Sequence, residues 1–316
     1  MSDPVAEALA ALADPITAPL RRHLSAAVRR ALGASPGELD EYREPAGDAG
    51  LFGPDSIAWR VHADLPAMLI GGLSALLHQT LHPLAMAGVA AHSRFREDPY
   101  GRLQRTARFI AGTTFGATPF AERLVGEVRA VHERVRGTTP DGRRYSAGDP
   151  ALLTFVHSTE VWAFLRSYQR HSPRPLVRAE KDRYLAEVAV IGERLGAERV
   201  PRDVAAVRGY FRAVAPELAF AAEAEETVRF LLHPRAATVG EAAGYRVLLA
   251  AAVALLPPEA RRQLRFSPLR GLLTPASTVA ANVVAHSLRW SVGPSAVAAI
   301  ARARVAAPAS HQHSVL

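Results

Sequence analysis

The chain has 316 residues and a mass of 33.9 kDa, with 49% hydrophobic and 22% charged residues, which excludes disorder and fibrous repeats and secures a sizeable core. The absence of cysteine removes disulfides, thiolate zinc sites, iron–sulfur clusters, thiol nucleophiles and covalent c-type haem together. The formal charge of +8 rests almost wholly on arginine, Lys181 being the only lysine, and arginines dispersed among alanines point to coding bias at least as much as to a binding surface, so no nucleic-acid partner is expected.

In chain order, residues 1–46 read as an amphipathic, arginine-bearing appendage leading into the Pro/Gly/Asp-rich stretch from Pro36 to Gly50. The start has acids ahead of its first basic residue and no apolar h-region, so a secretory leader is not expected and a cytoplasmic location is. From Leu65 to Ser93 no residue is formally charged, a run longer than the ~20 residues a bilayer needs. It nevertheless contains His78, Gln79, His82, His92, Gly71, Gly72 and Pro83, which suit a buried helix pair lining a pocket, and no integral membrane span is expected.

A helix should open after Asp98 with Pro99 in its first turn and run to about Ala111, placing Arg102, Arg105, Thr106 and Phe109 on one face. A second should open with Thr118 as N-cap and Pro119 at N1 and close at Gly137 as a left-handed cap. Its apolar stripe is Leu124, Val125, Val128, Val131 and Val135, with His132 on the edge. The short connection between the two sets them back to back, so that the Arg105 face can oppose His132 across a gap. A loop at 137–150 follows, then a helix opened by Asp149 and Pro150 that carries His157 and Glu160, and another loop at 171–175. The run from Val247 to Leu256 is too short to span a membrane and stops at Pro257 and Pro258. From Ser267 on, apolar stretches such as Val279 to Val284 give way to a polar tail. No internal repeat is present. The class is all-α, a single multi-helix domain with boundaries near 46 and 266 that set off the appendage and a C-terminal helical extension.

The chain lacks a G-x-S-x-G elbow, a Walker loop, a G-x-G-x-x-G turn and H-E-x-x-H. It also lacks the Glu-x-x-His pairs of helical di-iron proteins; His157-x-x-Glu160 is the reverse order and occurs once. What remains is histidine on apolar helix faces, a setting in which one imidazole can hold a haem iron. The same pattern describes an ordinary hydrogen-bonded core histidine, and Arg102 and Arg105 would ordinarily pair with acids such as Glu97 and Asp98.

The run from Leu51 (LFGPDSIAWRVHADLPAMLIGGLSALLHQTLHPLAMAGVAAHSRFREDPYGRLQRTARFIAGTTFG), followed by VRAVHERVRG and VHSTEVWAFL, resembles the bacterial branch of the MpaB and rubber-oxygenase (latex-clearing protein) family over about Leu51 to Leu256. The resemblance implies an all-helical, globin-related core holding haem b, which makes 47–266 a haem-binding, oxygenase-like unit. The proximal histidine of rubber oxygenases sits in an Arg-x-x-His motif that falls on Arg129 and His132. Their distal Arg-x-x-Lys-Thr falls on Arg102, Arg105 and Thr106. His157, with Glu160 one turn on to orient its ring, is the alternative iron ligand.

Two departures stand out. Arg105 replaces a lysine and, always protonated, cannot coordinate iron, though it can donate to bound dioxygen or to a propionate. The distal glutamate has no counterpart in the uncharged stretch, where His82 or His92 is the local replacement for proton transfer and each is equally a candidate structural donor. The expected activity is haem b-dependent activation of dioxygen to oxidise a lipophilic or unsaturated small molecule, in a pocket lined by Leu65 to Val89 with Phe109 and Phe115. A non-catalytic haem- or lipid-binding protein is the alternative. Expected partners are dioxygen and a small lipophilic substrate, with a homodimer an admissible assembly.

Overall fold

Prolines and short acidic side chains cut the chain into helices. The computed structural model describes residue 26 and residues 36–93, 97–232, 238–264 and 275–308, so most of the 1–46 appendage and the tail after 308 lie outside the described residues. In chain order the helices are α1 (Pro36–Asp40), α2 (Ile57–His62), α3 (Leu65–Gln79), α4 (Pro83–His92), α5 (Pro99–Phe115) and α6 (Thr118–Arg134). A two-stranded antiparallel ribbon follows, β1 (Arg136–Thr138) and β2 (Arg144–Ser146), then α7 (Pro150–His171), α8 (Arg178–Leu195) and α9 (Val204–Val214). The rest are α10 (Ala222–Leu232), α11 (Val239–Leu255), α12 (Pro258–Gln263), α13 (Pro275–Val292) and α14 (Ala296–Ala306). Of the described residues 73% are helical, an all-α single domain.

Local caps explain many of the boundaries. Asp64, Asp98 and Asp149 accept backbone N–H groups of Ala67 (3.2 Å), Gly101 (2.8 Å) and Ala151 (2.9 Å), and each precedes a proline in the first turn. The uncharged stretch from Leu65 breaks at Pro83 into α3 and α4, and among the described residues no helix is long and apolar enough to cross a membrane.

α3 and α7 form the central pair, flanked by α11 and α13 against α3 and by α8 against α7. A Cβ on Gly71 would lie 2.8 Å from a ring carbon of Phe164 and 3.0 Å from the Ala163 carbonyl oxygen, so the absent side chain sets this close approach. Around the pair, Val61, Phe164, Tyr184, Leu185 and Val188 form one core cluster, and Leu77, Leu81, Val253 and Leu256 another. The C-terminal helices join this body: Arg289 of α13 grips Asp64 at the start of α3 with four contacts of 2.9–3.2 Å, across 225 residues of sequence.

Three boundaries differ from expectation. α5 continues to Phe115, beyond Ala111. Thr118 is the first residue of α6 and not its cap, because Asp48, 70 residues earlier, accepts both its N–H and its hydroxyl at 3.0 Å. Gly137 does not cap a helix: α6 ends at Arg134, and Gly137 lies in β1 opposite Tyr145, where ribbon pairing replaces the expected loop.

Candidate functional site

α5 and α6 fold back on each other at Gly116, making a hairpin with a closed end at that turn and an open end toward which α5 carries Arg102, Arg105 and Thr106 and α6 carries His132. At the closed end the buried charged groups have partners, although Trp59 Nε1 is buried there without one. Asp48 accepts from Gly50 (2.6 Å) and Thr118, and Arg304 of α14 donates to the carbonyls of Tyr42, Asp48 and Phe115, each at 2.9 Å. Burial alone would raise the Asp48 carboxyl, but the Thr118 and Gly50 donors and the Arg304 charge outweigh it and hold it below the ordinary carboxylate value.

The open end is different. Arg105 is exposed and reaches back to Asp98 of its own helix start (3.3 Å), and the Thr106 hydroxyl donates to the Arg102 carbonyl (3.0 Å). Arg102 is partly buried and donates to Ser93 beyond α4; burial and the Arg105 charge push its guanidinium below the ordinary arginine value. Phe109 turns toward the closed end, joining Tyr42, Trp59, Phe115 and Phe120. His132 is partly buried, its Nδ1 is enclosed without a hydrogen-bond partner, and burial lowers its pKa, so the ring is neutral near pH 7. Two apolar side chains of this end stay open, Leu103 at 38% and Val131 at 48% exposure. Arg129 faces outward, lining an open groove of about 500 Å³ with Glu122, Glu133, Glu193 and Arg194.

The other histidines are dispersed. His82 caps α4 in place only, making no side-chain cap bond; its Nδ1 is buried without a partner and its ring lies 4.9 Å from that of Phe155. His92, at the other end of α4, is exposed and 3.3 Å from the Tyr145 hydroxyl. Ten residues of helix hold the two some 15 Å apart, so they cannot serve the same proton transfer. His157 is 7% exposed, its Nε2 is unpartnered, and burial lowers its pKa to about 4. A Cβ on Gly192 would fall 2.9 Å from its ring, so the backbone of α8 closes over one side of the imidazole. Glu160 does not hydrogen-bond to it; burial raises the Glu160 carboxyl to about 7.

Sequence reading missed an interior polar group beside His157. His62 pairs with Thr114 Oγ1 at 2.7 Å and with the Tyr184 hydroxyl at 2.9 Å, and burial followed by the His157 charge lowers its pKa to about 3. The available signal was a histidine ending the short apolar helix after Trp59, the pattern that singled out His132. Among the described residues no three His, Asp or Glu side chains converge as a metal site, whereas haem iron needs one imidazole.

Residues 59–290 match the family described as ER-bound oxygenase mpaB/B′/rubber oxygenase, catalytic domain. No curated protein and no solved structure matches the chain. The match runs from Trp59 in α2 to Trp290 in α13, and so takes in the central pair, the hairpin and every candidate histidine named above. With well over half of its length matched, the chain belongs to the mpaB/rubber oxygenase family, and it is an oxygenase.

Proposed function

We propose that the protein is a haem b-dependent oxygenase that uses dioxygen to oxidise a small lipophilic or unsaturated substrate, with His132 as the iron ligand. The observation that carries this is the neutral, half-enclosed imidazole of His132, with an unpartnered Nδ1, toward the open end of a hairpin whose two helices also leave Leu103 and Val131 uncovered. A neutral ring is the form that ligates a metal, and apolar surface at the same end suits a porphyrin edge. The residues therefore fit the group. His157 fits less well, since α8 packs on its ring and leaves it in the core. The family match favours turnover over passive haem or lipid binding.

When bound, haem would supply the redox chemistry with dioxygen; the chain supplies position, proton control and exclusion of water. Arg102, anchored through Ser93, is placed to hold an anionic edge such as a propionate, and Arg105 can exchange its exposed Asp98 partner for one inside the site. Thr106 can donate once its hydroxyl turns from the Arg102 carbonyl. For proton transfer, His82 is the better placed of the two histidines, being buried with a free Nδ1, whereas His92 faces solvent. The uncharged surfaces of α3 and α4 favour an apolar substrate.

The test is the visible spectrum of protein expressed with haem supplied. A Soret band lost in His132→Ala and kept in His157→Ala, with unchanged circular dichroism in both, is expected. The reverse pattern would move the ligand to His157, and wild-type protein that stays colourless after reconstitution would remove haem altogether. Substrate-dependent oxygen uptake then separates turnover from binding.

A further inference from the structure

One flank of the central pair carries a carboxyl that the packing leaves unfinished. α3 and α7 run antiparallel: Gly71 lies against Phe164, and further along α3 the Gln79 Nε2 donates to the Val156 carbonyl (3.3 Å) and to Thr159 Oγ1 (3.1 Å). This register sets Leu76, one turn before Gln79, level with Glu160, one turn after Val156. Leu76 is 37% and Val156 36% exposed, and of the large apolar side chains described on α3 and α7 these alone are exposed. Beside them Glu160 keeps part of its surface open, and among the described residues it has neither a hydrogen-bond nor an ion-pair partner. Asp48, Asp141 and Glu180 sit below the ordinary carboxylate value beside donors and arginines, whereas burial lifts Glu160 to about 7.

The titratable groups around Glu160 are uncharged near pH 7. His157, one turn before it, has an unpartnered Nε2 and a pKa that burial lowers to about 4. One turn after Glu160, the Phe164 ring lies 5.6 Å from that of His62, whose pKa burial lowers to about 3 and whose Nε2 is 2.9 Å from the Tyr184 hydroxyl, itself raised by burial. The flank therefore offers no cation to an anionic ligand. A cationic ligand would pay a desolvation cost that one unsupported carboxyl does not repay. A neutral hydroxyl or carbonyl completes the site, because a protonated carboxyl both donates and accepts, and the open surfaces of Leu76 and Val156 can take the attached hydrocarbon.

We propose that Glu160 holds the neutral polar end, a hydroxyl or a carbonyl, of a lipophilic substrate whose hydrocarbon part lies on Leu76 and Val156. This rests on the lipophilic-substrate reading above and names the class within it, an aliphatic alcohol or ketone in place of a bare hydrocarbon or a fatty acid. Glu160 determines specificity here and takes no part in holding iron.

The test is calorimetric titration of the full chain, haem-loaded and haem-free, with 1-octanol, 2-octanone, octanoate and octylamine at pH 7, alongside thermal melts. The alcohol and the ketone should bind one site per chain, each at least tenfold more tightly than the acid anion or the ammonium. Glu160→Gln, whose amide is neutral and both donates and accepts, should keep the ketone affinity within about threefold, while Glu160→Leu should weaken it at least tenfold. Without ligand, Glu160→Leu should raise Tm by removing an unpartnered polar group, which a structural role for the carboxyl would reverse. A ketone only accepts, so its affinity for wild type should fall as pH rises above about 7 and stay level in Glu160→Gln. Tighter binding of octylamine or octanoate than of octanol, equal loss of ketone in both variants, a lowered Tm of Glu160→Leu with ketone affinity intact, or no binding of millimolar alcohol to either form would each overturn the proposal. If Glu160→Leu does not fold, the pH profile against Glu160→Gln decides. The Soret test above reads iron alone, so it can fail with this binding intact, and the reverse.

Discussion

The two ends of the α5–α6 hairpin are built from the same helices and treat their polar groups in opposite ways. At the closed end the Asp48 carboxylate and the 3%-exposed Arg304 find partners for nearly everything they bury. At the open end His132 buries a nitrogen with no partner, Arg105 and Thr106 bond only within their own helix region, and Leu103 and Val131 face outward. The contrast lies in the charged groups and not in every polar atom, since Trp59 Nε1 is also buried without a partner at the closed end: one end clamps its charges inside the fold and the other leaves them near solvent.

The sharpest test of that contrast is Arg304→Ala. It strips three carbonyls of a buried donor and should destabilise by about 3–4 kcal/mol in urea unfolding. A loss below about 1 kcal/mol would mean that the closed end is not a clamp. Gly50→Ala comes next: φ is +71° and the new Cβ would sit 2.2 Å from the Gly116 carbonyl oxygen, so about 2–3 kcal/mol is expected from strain and displacement of the turn.

A smaller effect sharpens the role of charge. The Asp48 pKa is lower in the folded state, so its contribution is fully present above the unfolded carboxylate value near 3.9 and is lost as pH falls through the lower folded value. Asp48→Asn should therefore lose about 1 kcal/mol at pH 6 relative to wild type, and that gap should narrow as pH falls below the unfolded carboxylate value, as followed by thermal melts across pH. The smallest stability effect belongs to the open end. His132→Ala should change apoprotein stability by under about 1 kcal/mol while abolishing the Soret band, and a large destabilisation instead would make His132 a core residue and dissolve the contrast.

How much of this was legible depends on the range of the interaction. Asp98, Asp149, Pro83 and Pro257 marked helix ends correctly because a cap or a missing N–H acts within a few residues. Thr118 misled because the acceptor that won its N–H came from Asp48, and Gly137 misled because a ribbon partner, Tyr145, lay across a turn. The face shared by Arg102, Arg105 and Thr106 followed from helical spacing alone, but the departure of Phe109 toward the aromatic cluster depended on Tyr42 and α14, far away in sequence. His62 with Tyr184 escaped notice because the pair draws its members from separate helices.

By itself the sequence determined an all-α chain, the helix starts after Asp98 and Asp149 and the breaks at Pro83 and Pro257, the motifs of an oxygenase family and the absence of any cysteine chemistry, since each of these depends on residue identity and local spacing. Only the tertiary structure decided which histidines are walled in and which buried nitrogens lack a partner. Burial and electrostatic neighbourhood are properties of the packed helices, and no local pattern encodes them.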